Sequence, residues 1–146
     1  MMIKDFINEK TIFFVNEKKR NKVIDFLIEK AEELKKIDNK KNFKKAIEER
    51  ENLMSTSIGL GIAIPHAKIE SQKEFFIIAG ILKNDVEWDS IDQKPVRLVF
   101  LIGGPSNDQK QYLKLLSQLI LSVKDPDKRE KILASENTSE IAKLFE

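Results

Sequence analysis

The period of the apolar positions changes several times along the chain, and each change marks an element. Residues 11–15 (TIFFV) are β-branched and aromatic over a strand's length. Apolar positions then fall at Val23, Phe26, Leu27, Ala31 and Leu34, the spacing of one helix face. A second helix, capped by Asp38, is expected to bury Phe43, Ala46 and Ile47, with Lys40, Lys41, Lys44, Lys45, Glu48 and Glu49 mostly in water. Arg50 ends that helix one turn beyond Ala46 and Ile47, where its side chain can lean toward the buried side.

A loop containing Gly59 and Gly61 leads into Ile62, Ala63 and Ile64, a run too short for a helix and ended by Pro65, which has no N–H to donate to a ladder. His66 is therefore expected at the carboxyl end of a strand. Residues 75–82 (FFIIAGIL) and 96–102 (VRLVFLI) are apolar on both faces, as strands covered on both sides are, and the second opens into Gly103-Gly104-Pro105. Between them, Val86, Trp88 and Ile91 suggest a short edge strand and turn. From Asp108 the pattern is helical again, with Tyr112, Leu113, Leu116, Leu119, Ile120 and Val123 on one stripe. Asp125-Pro126 reads as an N-cap with proline at the first helical position, opening a short helix through Ile132 and Leu133. Asn137 with Glu140 resembles a capping box for a last helix burying Ile141, Leu144 and Phe145.

Helices at both ends around a middle run of strands predict an α/β fold, a single-domain sandwich with a mixed central β-sheet flanked by helices on both sides. A length of 146 residues suits one domain that buries its own core. The chain has no cysteine, which removes disulfides, thiolate metal sites and cysteine nucleophiles. Asp5 and Glu9 stand where a signal peptide would need an apolar core, and no apolar run is long enough to span a bilayer, so a cytoplasmic protein without direct membrane insertion is expected. The 26 basic and 24 acidic residues are interleaved, for a net charge of +2. Up to Met54 there are 14 basic and 11 acidic residues, too weak a field for a nucleic-acid partner.

Candidate chemistry centres on His66, the only histidine. A metal site would need carboxylates such as Glu70 and Glu74, and no ligand spacing is recognisable, so no metal or cofactor is expected. A triad of Ser55 or Ser57, His66 and Asp89 lacks a nucleophile-elbow pattern. The glycines at 59 and 61 are too few for a dinucleotide fingerprint. The remaining chemical option is the imidazole as a nucleophile that accepts and donates a phosphoryl group. Such transfer needs a neutral ring nitrogen, a fixed cation and short donors. Arg50, Ser55, Thr56 and the amides near Gly59 and Gly61 are candidates for those roles. Position and spacing alone favour a packed imidazole over a reactive one.

The residues add more. Glu49-Arg50-Glu51, Ser55-Thr56, Ile58-Gly59 and Gly61-Ile62-Ala63-Ile64-Pro65-His66 resemble the signature of fructose/mannitol-type enzyme IIA domains (EIIA type-2) of the bacterial phosphoenolpyruvate-dependent sugar phosphotransferase system, which include nitrogen-regulatory IIA proteins. The likeness continues through Trp88-Asp89, Ile91, Pro95-Val96 and the VFLI run into the following helix, so a single domain over residues 1–146 is expected. The resemblance implies a mixed sheet flanked by helices. It makes His66 the residue phosphorylated by the histidine phosphocarrier protein, with a IIB component as the next acceptor and no metal required. It makes Arg50, 16 residues upstream, the active-site arginine. Many members carry a second histidine where this chain has Tyr112, which keeps a hydroxyl donor but cannot become a cation near neutral pH.

The resemblance leaves two readings, a sugar phosphotransferase component and a nitrogen-regulatory type of protein in which phosphorylation of His66 switches protein binding. A homologue that no longer carries phosphate is a third, and retention of His66 and Arg50 speaks against it.

Overall fold

The computed structural model describes residues 2–146. In chain order the elements are a 3-10 turn at Ile3–Asp5, β1 (Ile12–Val15), α1 (Arg20–Glu33), α2 (Lys40–Leu53), β2 (Ser57–Gly59), β3 (Ile62–Ala63), β4 (His66–Ile69), β5 (Phe76–Val86), β6 (Val96–Pro105), α3 (Gln109–Val123), α4 (Pro126–Ala134) and α5 (Thr138–Lys143). The sheet runs β1-β5-β6-β3-β2, with β4 also on β6. The β1–β5, β3–β6 and β4–β6 pairs are parallel, whereas β5–β6 and β2–β3 are antiparallel. The sheet is mixed and lies between two helical layers, as the sequence predicts.

The apolar runs of β5 and β6 become two cores because successive side chains take opposite faces. Ile77, Ala79, Ile81, Leu98, Phe100 and Ile102 face the layer that includes Leu115 and Leu119 of α3 and Ile141 of α5. Phe76, Ile78, Leu82, Val99 and Leu101 meet Val23, Leu27 and Ile28 of α1 and Phe43 and Ile47 of α2. The rings of Phe43 and Phe76 come so close to β6 that a Cβ on Gly103 would lie 2.3 Å from Phe76 Cε1 and 2.7 Å from Phe43 Cε1. Glycine is required there by contact with the two rings.

The strand expected to end at His66 is differently built. Ile62 lies opposite Leu98 and His66 opposite Ile102, four residues further along each strand, so β3 and β4 are two parts of one strand in unbroken register. Pro65 interrupts it because proline has no N–H, yet its carbonyl still accepts from Ile102 N at 2.9 Å. His66 therefore opens β4 and does not close a strand. Before it, Leu60 and Gly61 turn the chain from β2 into β3 with φ of +61° and +75°, the paired positive angles of a tight hairpin.

Other boundaries also move. Asn39 caps α2 by accepting from Asn42 N, while the expected cap, Asp38, accepts from Lys73 N. β5 runs on to Val86, Trp88 is fully buried, and Ile91 is 94 % exposed, so no edge strand forms between β5 and β6. On α3 the buried stripe is Tyr112, Leu115, Leu119 and Val123, and Leu113 faces outward. Asp125 and Asn137 cap α4 and α5 as expected, but the Glu140 carboxylate takes the Ser135 hydroxyl, so no reciprocal capping box closes. Phe145 is buried beyond the end of α5, and Leu144 is half-buried.

Candidate active site

His66 sits on an edge. β4 pairs only with β6, and the neighbouring β2 ends before reaching it. The Ile64 N–H donates to the Thr56 carbonyl at 3.0 Å, and the Ile64 carbonyl is taken by the His66 ring, Nδ1 to O at 2.8 Å. A carbonyl oxygen only accepts, so Nδ1 carries the proton and Nε2 keeps the lone pair. The proline that breaks the strand also places this carbonyl beside the imidazole two residues on.

The ring rests against Tyr112 of α3, centroids 5.5 Å apart and planes at 38°. Tyr112 is 4 % exposed, and its hydroxyl has no hydrogen-bond partner among the described residues. Burial pushes its pKa up to about 12, against a smaller opposing effect of Arg50. Lys68, two residues beyond His66 and so on the same strand face, holds its Nζ 4.6 Å from the centre of the Tyr112 ring.

Burial pushes the His66 pKa below its ordinary 6.5, the hydrogen bond to Ile64 opposes this, and the charges of Arg50 and Lys68 lower it further. The imidazole is largely neutral at pH 7, half-buried, and set in a positive field. Arg50 lies in the last turn of α2, which packs on β4, and its guanidinium donates to the Met54 carbonyl at 3.0 Å. Among the described residues neither Arg50 nor Lys68 has a carboxylate within ion-pair distance. Two uncompensated cations beside a neutral nucleophilic nitrogen suit a group that arrives carrying negative charge.

The other residues singled out from the sequence lie elsewhere or are already engaged. The Ser55 hydroxyl donates to the Trp88 carbonyl, and the Thr56 hydroxyl to the buried Glu51 carboxylate. Ser57 pairs with Ser90 at 2.7 Å, and Asp89 lies 3.7 Å from Arg20, so no serine triad forms around an imidazole whose Nδ1 is already on a carbonyl. Gly59 N donates to Ser57 Oγ, and the Gly61 carbonyl accepts from Leu98 N. Their hairpin thus sits at the Leu98 level of β6, roughly 13 Å of strand from the level of His66. Of the residues named in advance, the structure gathers His66, Arg50 and Tyr112. It adds Lys68 and the Ile64 carbonyl, and the alternation of strand side chains was the signal available for Lys68.

A family model described as "Phosphoenolpyruvate-dependent sugar phosphotransferase system, EIIA 2" matches residues 5–146. The chain belongs to that family. EIIA domains of this family carry phosphoryl groups. The chain is 32 % identical over 99 % of its length to the fructose-specific EIIABC component of Bacillus subtilis, but spans only 23 % of that protein. It is 32 % identical to the fructose-specific EIIA component of Haloferax volcanii, covering 78 % of this chain and 74 % of that one. The nitrogen regulatory protein of Bradyrhizobium diazoefficiens is also 32 % identical, over 87 % of this chain and 81 % of its own. Solved structures confirm the fold. The nitrogen regulatory protein IIA-Ntr of Neisseria meningitidis matches with a TM-score of 0.91 at 22 % identity, covering 99 % of both chains. The Escherichia coli complex of enzyme IIA mannitol with phosphorylated enzyme IIB mannitol matches with a TM-score of 0.82 at 18 % identity, covering 99 % of this chain and 98 % of that one. Among the described residues no helix is long and apolar enough to cross a membrane.

Proposed function

We propose that this EIIA domain carries a phosphoryl group on Nε2 of His66, taken from the histidine phosphocarrier protein and passed to a IIB component. The observation that carries the reading is the Nδ1–H bond to the Ile64 carbonyl, which fixes the tautomer and leaves the Nε2 lone pair free. In the transfer, that lone pair forms the new N–P bond while the electrons of the donor's N–P bond return to the donor ring. The proton stays on Nδ1, so the ring gains positive charge as the bond forms, and the Ile64 carbonyl stabilises it. Arg50 offsets the charge on the phosphoryl oxygens. The fold likeness to a IIA mannitol that was solved with phosphorylated IIB mannitol supports a IIB component as acceptor.

The regulatory reading draws support from the nitrogen regulatory relatives and from Tyr112, which cannot supply a second titrating imidazole for onward transfer. There, phosphorylation adds up to two negative charges to a surface that holds uncompensated cations, and so changes which protein docks.

Incubation with phosphoenolpyruvate, enzyme I and the phosphocarrier should give an acid-labile, base-stable adduct on the wild-type chain and none on His66→Ala. A wild-type chain that takes no label refutes both readings. Label passing on to a IIB cysteine marks the transport role, and label that stays on His66 and changes protein binding marks the regulatory one.

A further inference from the structure

Of the two cations beside His66, only Arg50 has been given a part in holding the phosphoryl group, and the position of Lys68 calls for an account. It is half-buried, makes no ion pair among the described residues, and rests on the π-face of Tyr112 at 4.6 Å. The Tyr112 ring in turn lies tilted against the nucleophilic ring, and its hydroxyl has no partner among the described residues. Histidine, lysine and tyrosine thus form one contiguous group on one face of β4, with both donors unspent.

We propose that Lys68 is a phosphoryl-binding residue, held in reserve on the Tyr112 ring in the unphosphorylated protein and transferred to the phosphoryl oxygens when His66 is charged. The inference rests on the phosphoryl-carrier reading and extends it to the machinery that holds the group. A neutral ring attracts an ammonium only through its quadrupole, whereas a phosphoryl group presents up to two full negative charges, so the incoming group outcompetes the ring. The side chains of His66 and Lys68 leave the strand on the same side, roughly 6.6 Å apart along it, and the four-carbon stem of lysine gives its ammonium freedom to cross that gap. The ring keeps the ammonium near the site without neutralising it, because burial holds Tyr112 in its uncharged form. A carboxylate in the same place would cancel the charge.

The test compares wild type with Lys68→Met and Lys68→Arg in phosphoryl exchange with the phosphocarrier. Lys68→Met should slow acceptance by on the order of tenfold, less than the loss of a fully preorganised donor, because the ammonium is half-exposed and mobile. Lys68→Arg should recover most of that rate, since it restores charge at the same site. As a readout independent of phosphorylation, the His66 imidazole should titrate at higher pH in Lys68→Met, because a cation that holds its pKa down is gone. An exchange rate in Lys68→Met within about twofold of wild type overturns the inference, as does an imidazole midpoint that does not move. If wild type is labelled on His66 while Lys68→Met matches it, only the role of Lys68 is refuted. If wild type takes no label, the carrier reading falls, and this inference with it.

Discussion

The hydroxyl of Tyr112 sets a stability test that can be read without any partner protein. It is buried, the residue is 4 % exposed, and no group among the described residues bonds it. Leaving a hydroxyl desolvated and unbonded costs about 1–3 kcal/mol relative to the hydrated unfolded chain. Tyr112→Phe removes that cost while keeping the tilted ring contact with His66 and the seat for Lys68, so it should stabilise the fold by about 1 kcal/mol. For a domain of this size that is a rise in Tm of about 2–4 °C, measurable by calorimetry. A fall in Tm of similar size would mean the hydroxyl is bonded in the folded state and would refute the argument. Tyr112 is also the only tyrosine, so tyrosinate absorbance reports on it alone. Its midpoint should lie near 12, against 10 for a free phenol. The unfolded chain would release that proton from about pH 10 and the folded chain only near 12. Stability linked to Tyr112 is thus intact below pH 10 and is lost as pH rises through that window. A midpoint near 10 would contradict the burial argument.

Three further outcomes follow from the same geometry. The single imidazole should titrate below 6.5 in the NMR spectrum of the unphosphorylated protein; the unfolded chain then binds that proton first, and stability falls as pH drops below 6.5. A midpoint above 6.5 would show a carboxylate at the ring or an exposed site. Gly103→Ala should destabilise the domain by about 1–3 kcal/mol in denaturant unfolding, since its Cβ would meet Phe76 and Phe43 at 2.3 and 2.7 Å, and an unchanged midpoint would mean both rings move freely. Arg50→Ala should slow phosphoryl transfer by on the order of a hundredfold with the circular dichroism spectrum intact, and wild-type rates would reduce Arg50 to a surface residue holding the Met54 carbonyl.

What could be read from the sequence follows the reach of each physical rule. Side-chain period is local, so the helices, the doubly apolar β5 and β6 and the mixed sandwich were legible. The N-cap of α2 was off by one because Asp38 and Asn39 are both competent caps, and contact with Lys73 decides between them. The exposed Ile91 and the outward Leu113 were misjudged because hydrophobicity alone does not say which way a residue faces. His66 and Arg50 stand out in sequence through the motif that resembles EIIA domains, since position and spacing alone favour a packed imidazole. The support expected from Ser55, Thr56, Gly59 and Gly61 came from proximity along the chain, which the hairpin undoes. The two hydroxyls serve Trp88 and Glu51, and the glycines turn a corner at the level of Leu98. The Ile64 carbonyl had no signature, because a backbone acceptor shows only once the strand and its proline break are in place.

The central claim is that Nε2 of His66 is the atom that takes the phosphoryl group while Nδ1 keeps its proton on Ile64. Nitrogen NMR of the histidine-labelled protein, before and after charging through enzyme I and the phosphocarrier, measures both. The account predicts a protonated Nδ1 in the free protein and phosphorus coupled to Nε2 in the charged one. Phosphorus on Nδ1, or a free protein with its proton on Nε2, would contradict it.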